Sequence, residues 1–165
     1  MPSRLIITIV LVCVLISLLG VFWRKNWTST DLKTPIETTG SDRSWQKIQI
    51  KDQTWTVEVV TTPQAMTLGL SGRDSIGSDG MLFILSEPQV AQFWMKDMKF
   101  DLDLVWIGGG RIVGITPMVP APKDNRPDNQ LPIYVSPSQT DMVLEVPAGL
   151  TQTQGWQVGD QVVLW

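Results

Sequence analysis

Arg73, Lys96, Asp97, Asp101 and Asp103 are the residues whose types and spacing could do chemistry, and each stands in or beside a run that otherwise reads as core. Arg73 and Lys96 could clamp an anion, the arginine supplying the planar fork that suits a carboxylate or phosphate. Asp97, Asp101 and Asp103 offer the oxygen ligands a hard cation takes. Their spacing matches no EF-hand loop and Lys96 and Lys99 lie among them, so no metal is expected. Asp101 and Asp103 are weak catalytic candidates, as acid and base on a glycosidic bond. The competing reading is structural: Arg73 and Asp103 pair and tie a loop to a sheet, because a charge set in a strand must be satisfied. Tyr134 joins Arg73, Lys96, Asp97 and Asp103 as a candidate ligand contact, since a ring beside a proline-rich loop suits stacking on a sugar, with Trp156 as a second such ring.

What is missing excludes more than what is present suggests. The chain has no histidine, and its one cysteine, Cys13, lies in an N-terminal apolar run. Cysteine and Ser-His-Asp hydrolysis, His-ligated iron or copper and structural zinc therefore lack their residues in the remainder. No cofactor is implied, and the balance leans away from an enzyme. The 13 basic and 16 acidic residues give a net charge of −3; setting aside Arg4, Arg24 and Lys25 leaves 10 against 16, or −6, after Trp27. Nucleic-acid binding needs clustered Lys and Arg to neutralise phosphates, so none is expected.

The elements that must position these residues are short strands. Residues 79–110 hold three apolar runs, Met81 to Leu85, Val90 to Met95 and Leu102 to Ile107, which read as three neighbouring strands of an antiparallel sheet. Upstream, 45–51 and 54–59 alternate around Asp52-Gln53 and predict a hairpin with its Trp, Ile and Val on one face. Thr62-Pro63 reads as an N-cap and first helical residue, starting a short helix to about Leu70 whose Ala65, Met66 and Leu70 pack on the sheet. Gly108 to Gly110 turns the chain into a partner strand, 111–115. The next segment carries Pro117, Pro120, Pro122, Pro127, Pro132 and Pro137, which predicts an extended, non-sheet loop over 116–137. Met142 to Val146 and Gln161 to Trp165 are further strands, with a short turn or helix from Pro147. Of the eight tryptophans, Trp55, Trp94, Trp106 and Trp165 fall in strands, where packing is the default.

Leu5 to Trp23 is an uncharged run of 19 residues. As a helix it covers about 28 Å, the hydrocarbon thickness of a bilayer, and no small-x-small cleavage site ends it. It reads as a transmembrane signal-anchor, and the bilayer is its partner. Residues 24–44 are too polar to order themselves and form a tether. Residues 45–165 remain for one domain of about 120 residues, enough for a single core. The domain is expected on the extracytoplasmic side of the membrane, or secreted if the N-terminal segment is cleaved.

Gly69-Leu70-Ser71-Gly72-Arg73, Gly80-Met81-Leu82-Phe83, Phe93-Trp94-Met95-Lys96-Asp97-Met98, Leu102-Asp103 and Val143-Leu144-Glu145-Val146-Pro147-Ala148-Gly149, followed by Gly159-Asp160, resemble in this order the "domain of unknown function 192" family. The likeness covers about 45–165. Leu70-Ser71-Gly72 departs from the family's usual Gly-Leu-Met, Asp97 stands where it usually has asparagine, and Asp101 where it has proline. The resemblance implies a compact jelly-roll-type sandwich, often preceded by a secretion signal or anchor, and no established reaction.

The expected fold is therefore all-β with one or two short helices, an antiparallel sandwich or barrel of jelly-roll type behind one N-terminal transmembrane helix. The expected function is a non-catalytic binding or accessory module of the cell envelope, taking an envelope glycan or a small anionic ligand. The alternatives are a carboxylate-dependent hydrolase of envelope polymers and a structural domain for a protein partner.

Overall fold

The computed structural model describes residues 43–124 and 126–165. The apolar run of 5–23 and the tether as far as residue 42 lie outside them. Among the described residues no helix is long and apolar enough to cross a membrane.

Strands β1 (Arg43–Ile50) and β2 (Gln53–Val60) form the expected hairpin. Ile50 lies opposite Gln53, so the turn is Lys51-Asp52, one residue earlier than expected. Helix α1 (Pro63–Leu68) is capped by Thr62, whose hydroxyl accepts from the Ala65 N–H at 3.3 Å. It ends at Gly69, whose φ of 48° disfavours any residue with a Cβ. There follow β3 (Gly80–Gln89), β4 (Gln92–Phe93), β5 (Leu102–Gly108), β6 (Arg111–Val119), β7 (Tyr134–Val135), β8 (Thr140–Pro147), the four-residue helix α2 (Leu150–Thr153) and β9 (Val162–Leu164).

Seven strands make one sheet in the order β6-β5-β8-β3-β2-β1-β9, and β4 pairs with β7 alone. The sheet curls until its two edges meet at one end: Arg111 bridges Gln161, and the Ile112 and Val162 N–H groups donate across the gap to Asp160 and Gly110, each at 2.9 Å. The expected jelly-roll sandwich is thus a single sheet bent toward a half-barrel. Nor is it wholly antiparallel, since β2 and β3 run parallel. The three central runs are not neighbours either. β8 lies between β3 and β5, and the Val90 to Met95 run contributes only the short β4.

The proline-rich segment is also more ordered than expected. β6 continues through Pro117 to Val119, and Tyr134–Val135 pairs with β4. Proline is tolerated at 117 because the β5–β6 register shifts there, leaving Pro117 and Met118 in a bulge opposite Asp103.

Alternation along each strand sorts the core into two layers. Ile48, Val57, Leu82, Val105, Leu144 and Trp156 belong to the layer inside the curl, which also holds Ile112 and Val162 from the two edge strands. Met81, Phe83, Leu104, Trp106 and Val143 point the other way, where Leu70, Ile76, Ala91, Met95 and Met98 cover them. Both faces of the central strands are therefore buried, and a polar residue on either one has left water. Three acids do so: Glu58 and Glu145 on the outer layer's face, and Asp103 on the inner one.

Candidate functional site

The residues singled out by type do not gather. Arg73 does not pair with Asp103; it grips Glu58 with both terminal nitrogens, at 2.7 and 2.9 Å, and donates to the Ile76 carbonyl at 3.4 Å. Glu58 is 3% exposed, so the pair is a strut between the loop after α1 and β2. Asp103, fully buried, accepts the Met118 N–H at 2.8 Å, the Gly149 and Thr151 N–H groups at 3.0 Å each, and the Thr151 hydroxyl at 2.6 Å. Burial pushes its carboxyl up, but these bonds outweigh burial and hold it below its ordinary value. Asp103 thereby pins the β6 bulge and the start of α2 to β5.

Asp101 accepts the Ala121 N–H at 2.8 Å, at an exposed position. Asp97 is exposed, with φ 53°, and its carbonyl accepts the Gly72 N–H at 2.8 Å. Aspartate and asparagine are the residues besides glycine that enter this left-handed conformation most readily, which accounts for an amide or acid at 97. Lys96 bonds Asp128 and lies 5.6 Å from the centre of the Trp94 ring. Among the described residues no three acidic side chains are grouped to hold a metal ion. Tyr134 lines a cavity of about 260 Å³ under the proline-rich loop, with Met95, Pro120, Pro122, Lys123 and Arg126.

Burial also corrects the tryptophans. Trp94 and Trp165 are exposed at 40% and 74%, whereas Trp156 is buried and packs edge-on against Trp55 at 5.3 Å.

Glu145 is different. It sits in the middle of β8, opposite Met81 of β3 and Leu104 of β5. β3 can lie this close because residue 80 is glycine: a Cβ there would come within 2.8 Å of the Glu145 carbonyl. Glu145 is 5% exposed, and its side chain has no hydrogen-bond or ion-pair partner among the described residues. Burial alone pushes the carboxyl up to about 8.

The Glu145 carboxyl lines a small cavity of about 40 Å³ walled by Met66, Leu70, Phe83, Phe93, Trp94 and Met98. Met66, Thr67, Phe93 and Trp94 also wall an outer cavity of about 300 Å³, which continues along Leu85, Gln89 and Gln92. Both lie between α1 and β4 and share Met66, Thr67, Phe93 and Trp94, a cleft whose larger part is mainly apolar while the small cavity at Glu145 is about half polar. Two hydroxyls on the cleft wall are already engaged, Thr67 with the Pro63 carbonyl and Ser71 with the Lys96 carbonyl, each at 2.8 Å. The rings are locked edge to face, Phe83 on Phe93 at 5.0 Å and Phe93 on Trp106 at 5.8 Å.

Residues 46–164 match the family model described as "Uncharacterized ACR", the domain of unknown function 192. The chain belongs to this family. Two crystal structures share its fold. One is of a candidate transcription regulator from Sinorhizobium meliloti, 26% identical, covering 74% of this chain and 95% of its own, with a TM-score of 0.64. The other is of a protein of unknown function from Novosphingobium aromaticivorans, also 26% identical, covering 74% of this chain and 85% of its own, with a TM-score of 0.61. Among curated proteins none matches. The segments in which this chain resembles the domain of unknown function 192 family supply much of the cleft: Leu70, Phe83, Phe93, Trp94, Met98 and Glu145 all come from them.

Sequence reasoning missed Glu145 and Glu58, because an acid in an alternating strand reads as its solvated face. The available signal was the company Glu145 keeps. Val143, Leu144 and Val146 are apolar on both parities, which marks a strand buried on both sides.

Proposed function

We propose that the domain is a non-catalytic binding module whose ligand enters the cleft between α1 and β4. The carrying observation is the carboxyl of Glu145, without a side-chain or backbone partner among the described residues, in a cavity walled by Phe83, Phe93 and Trp94. The little exposure the residue keeps leaves the carboxyl open to the cavity, so a ligand there can take up its hydrogen bonds. Convergent apolar walls around one polar group are the common form of a small-molecule site. A hydrolase built on Asp101 and Asp103 is disfavoured, since both carboxylates are spent on backbone N–H groups of their own chain. A nucleic-acid role is disfavoured by the acidic charge. The run of 5–23 would tether the module to a bilayer, with envelope molecules as the ligand pool.

The test uses the full chain with its methionine methyls labelled, because Met66 and Met98 both line the cleft. Small apolar amides and alcohols, aliphatic carboxylates and envelope glycan fragments are titrated in. The Met66 and Met98 signals are expected to move with at least one class while Met118, exposed on β6, stays still. A panel that moves neither would refute the reading.

A second surface offers one cation to an anion. Lys123 stands at the proline-lined cavity that holds Tyr134, while Arg126 is already forked onto Asp124 at 2.6 and 2.9 Å. Loss of aromatic carboxylate binding in Lys123→Ala, with the Met66 and Met98 signals undisturbed, would support it.

A further inference from the structure

On the reading that the cleft is the binding site, we infer that its ligand is an uncharged molecule with an alkyl or aromatic body and a carboxamide head that pairs with the Glu145 carboxyl. Three observations select that head. First, a carboxylic acid carries one O–H donor beside a carbonyl acceptor, the complement of a primary amide's acceptor and donor, so the two close a pair of hydrogen bonds. The Thr67 and Ser71 hydroxyls have given their protons to carbonyls, so Glu145 is the side chain left to donate to a head in the inner cavity.

Second, size separates head from body. The inner cavity of about 40 Å³ holds little more than a head group, and the outer one of about 300 Å³ takes a chain or ring. Phe93 and Trp94 wall both, so a ligand passing from one to the other stays against the same two rings.

Third, charge disfavours the alternatives. An ammonium head would require Glu145 ionised among Met66, Leu70, Phe83 and Met98, and would approach past Lys96, which already lies by Trp94. A carboxylate head would bury an unpaired charge beside an acid. Among the described residues the outward face of β8 meets no unpaired cation either. Across β3 on β2 is Glu58, gripped by Arg73; α1 has no charged residue; and the 94–100 segment carries Lys96, Asp97 and Lys99, with Lys96 and Lys99 bonded to Asp128 and Asp74. Asp103 points to the opposite face of the sheet. Held near pH 8 by burial, the Glu145 carboxyl keeps its proton at neutral pH and can donate.

The test compares hexanamide, hexylamine and hexanoate on the full chain through the Met66 and Met98 methyl signals, at about pH 6.5 and about pH 9.5 so as to bracket the titration. Hexanamide is expected to bind best at the lower pH and to weaken about tenfold at the higher, the worth of one hydrogen bond. Glu145→Gln keeps both a donor and an acceptor; it should hold hexanamide at both pH values with the pH dependence gone. Glu145→Leu should lose about tenfold in affinity. Hexylamine binding more tightly than hexanamide, or hexanamide binding Glu145→Leu as well as the native chain, would overturn the carboxamide head and leave the cleft standing. No shift with any of the three compounds would overturn the carboxamide head, and the cleft would fall with it only if the alcohols and glycan fragments also moved neither methyl.

Discussion

Asp103 and Glu145 are both acids buried in adjacent strands of one sheet, and they meet opposite fates. Asp103 lies beside a bulge and a helix start, the two places in a β-fold where backbone N–H groups go spare, and it collects three of them and a hydroxyl. Glu145 lies in mid-ladder, where every neighbouring N–H is committed to a strand partner, and it collects none. Glu58, in the same cross-strand row as Glu145 on the far side of Met81, is rescued by a side chain, Arg73. Position in the ladder thus decides whether a buried acid becomes a strut or remains available to a ligand.

The comparison can be broken most forcefully by pH. Glu145 keeps its proton in the fold up to about 8, against 4.5 in the unfolded chain. A raised carboxyl favours the protonated state, so its contribution is complete below the unfolded value. It drains away as pH rises and is gone above the folded value. The loss is on the order of 5 kcal/mol. Asp103, whose value is lowered, behaves oppositely and loses its contribution as pH falls into the acid range. The chain has no histidine, the side chain whose ordinary value falls inside that window. Denaturant unfolding should show the native chain weakening across that window while Glu145→Gln stays level. Parallel profiles for the two would mean the carboxyl is already ionised.

Asp103→Ala comes next. It strands the N–H groups of Met118, Gly149 and Thr151, and should cost roughly 4 kcal/mol in denaturant unfolding at neutral pH. Arg73→Leu leaves Glu58 buried beside an apolar residue and should cost roughly 3 kcal/mol, most of it recovered when Glu58→Leu is added. Combined with Asp103→Ala, Arg73→Leu should be additive, since the two side chains serve separate struts. Strong coupling between them would restore the pairing expected from sequence. The smallest effect belongs to the surface. Lys99 meets Asp74, which is 92% exposed, and Lys99→Ala should leave the melting temperature unchanged.

Local features of this fold were legible and non-local ones were not. The hairpin of β1 and β2, the Thr62 cap, the glycine turn into β6 and the β8 run follow from period, turn chemistry and capping, all written within a few residues. The insertion of β8 between β3 and β5 and the parallel β2–β3 pair depend on which distant runs meet, and nothing in 79–110 records that. The site failed for the same reason. Arg73 could be recognised as a charge needing a partner, but choosing Glu58 over Asp103 required the sheet order. Glu145 was hidden because alternation assigns polar residues to water, and here α1, β4 and the Met95 to Met98 segment cover the face to which it points.

The most direct test is to titrate the side-chain carboxyl carbon of Glu145 by NMR in the full chain. A midpoint near 8 is expected, moving when a carboxamide fills the cleft. A midpoint near 4.5 would show a solvated or partnered carboxylate and contradict the account of the cleft as a binding site built on a neutral acid.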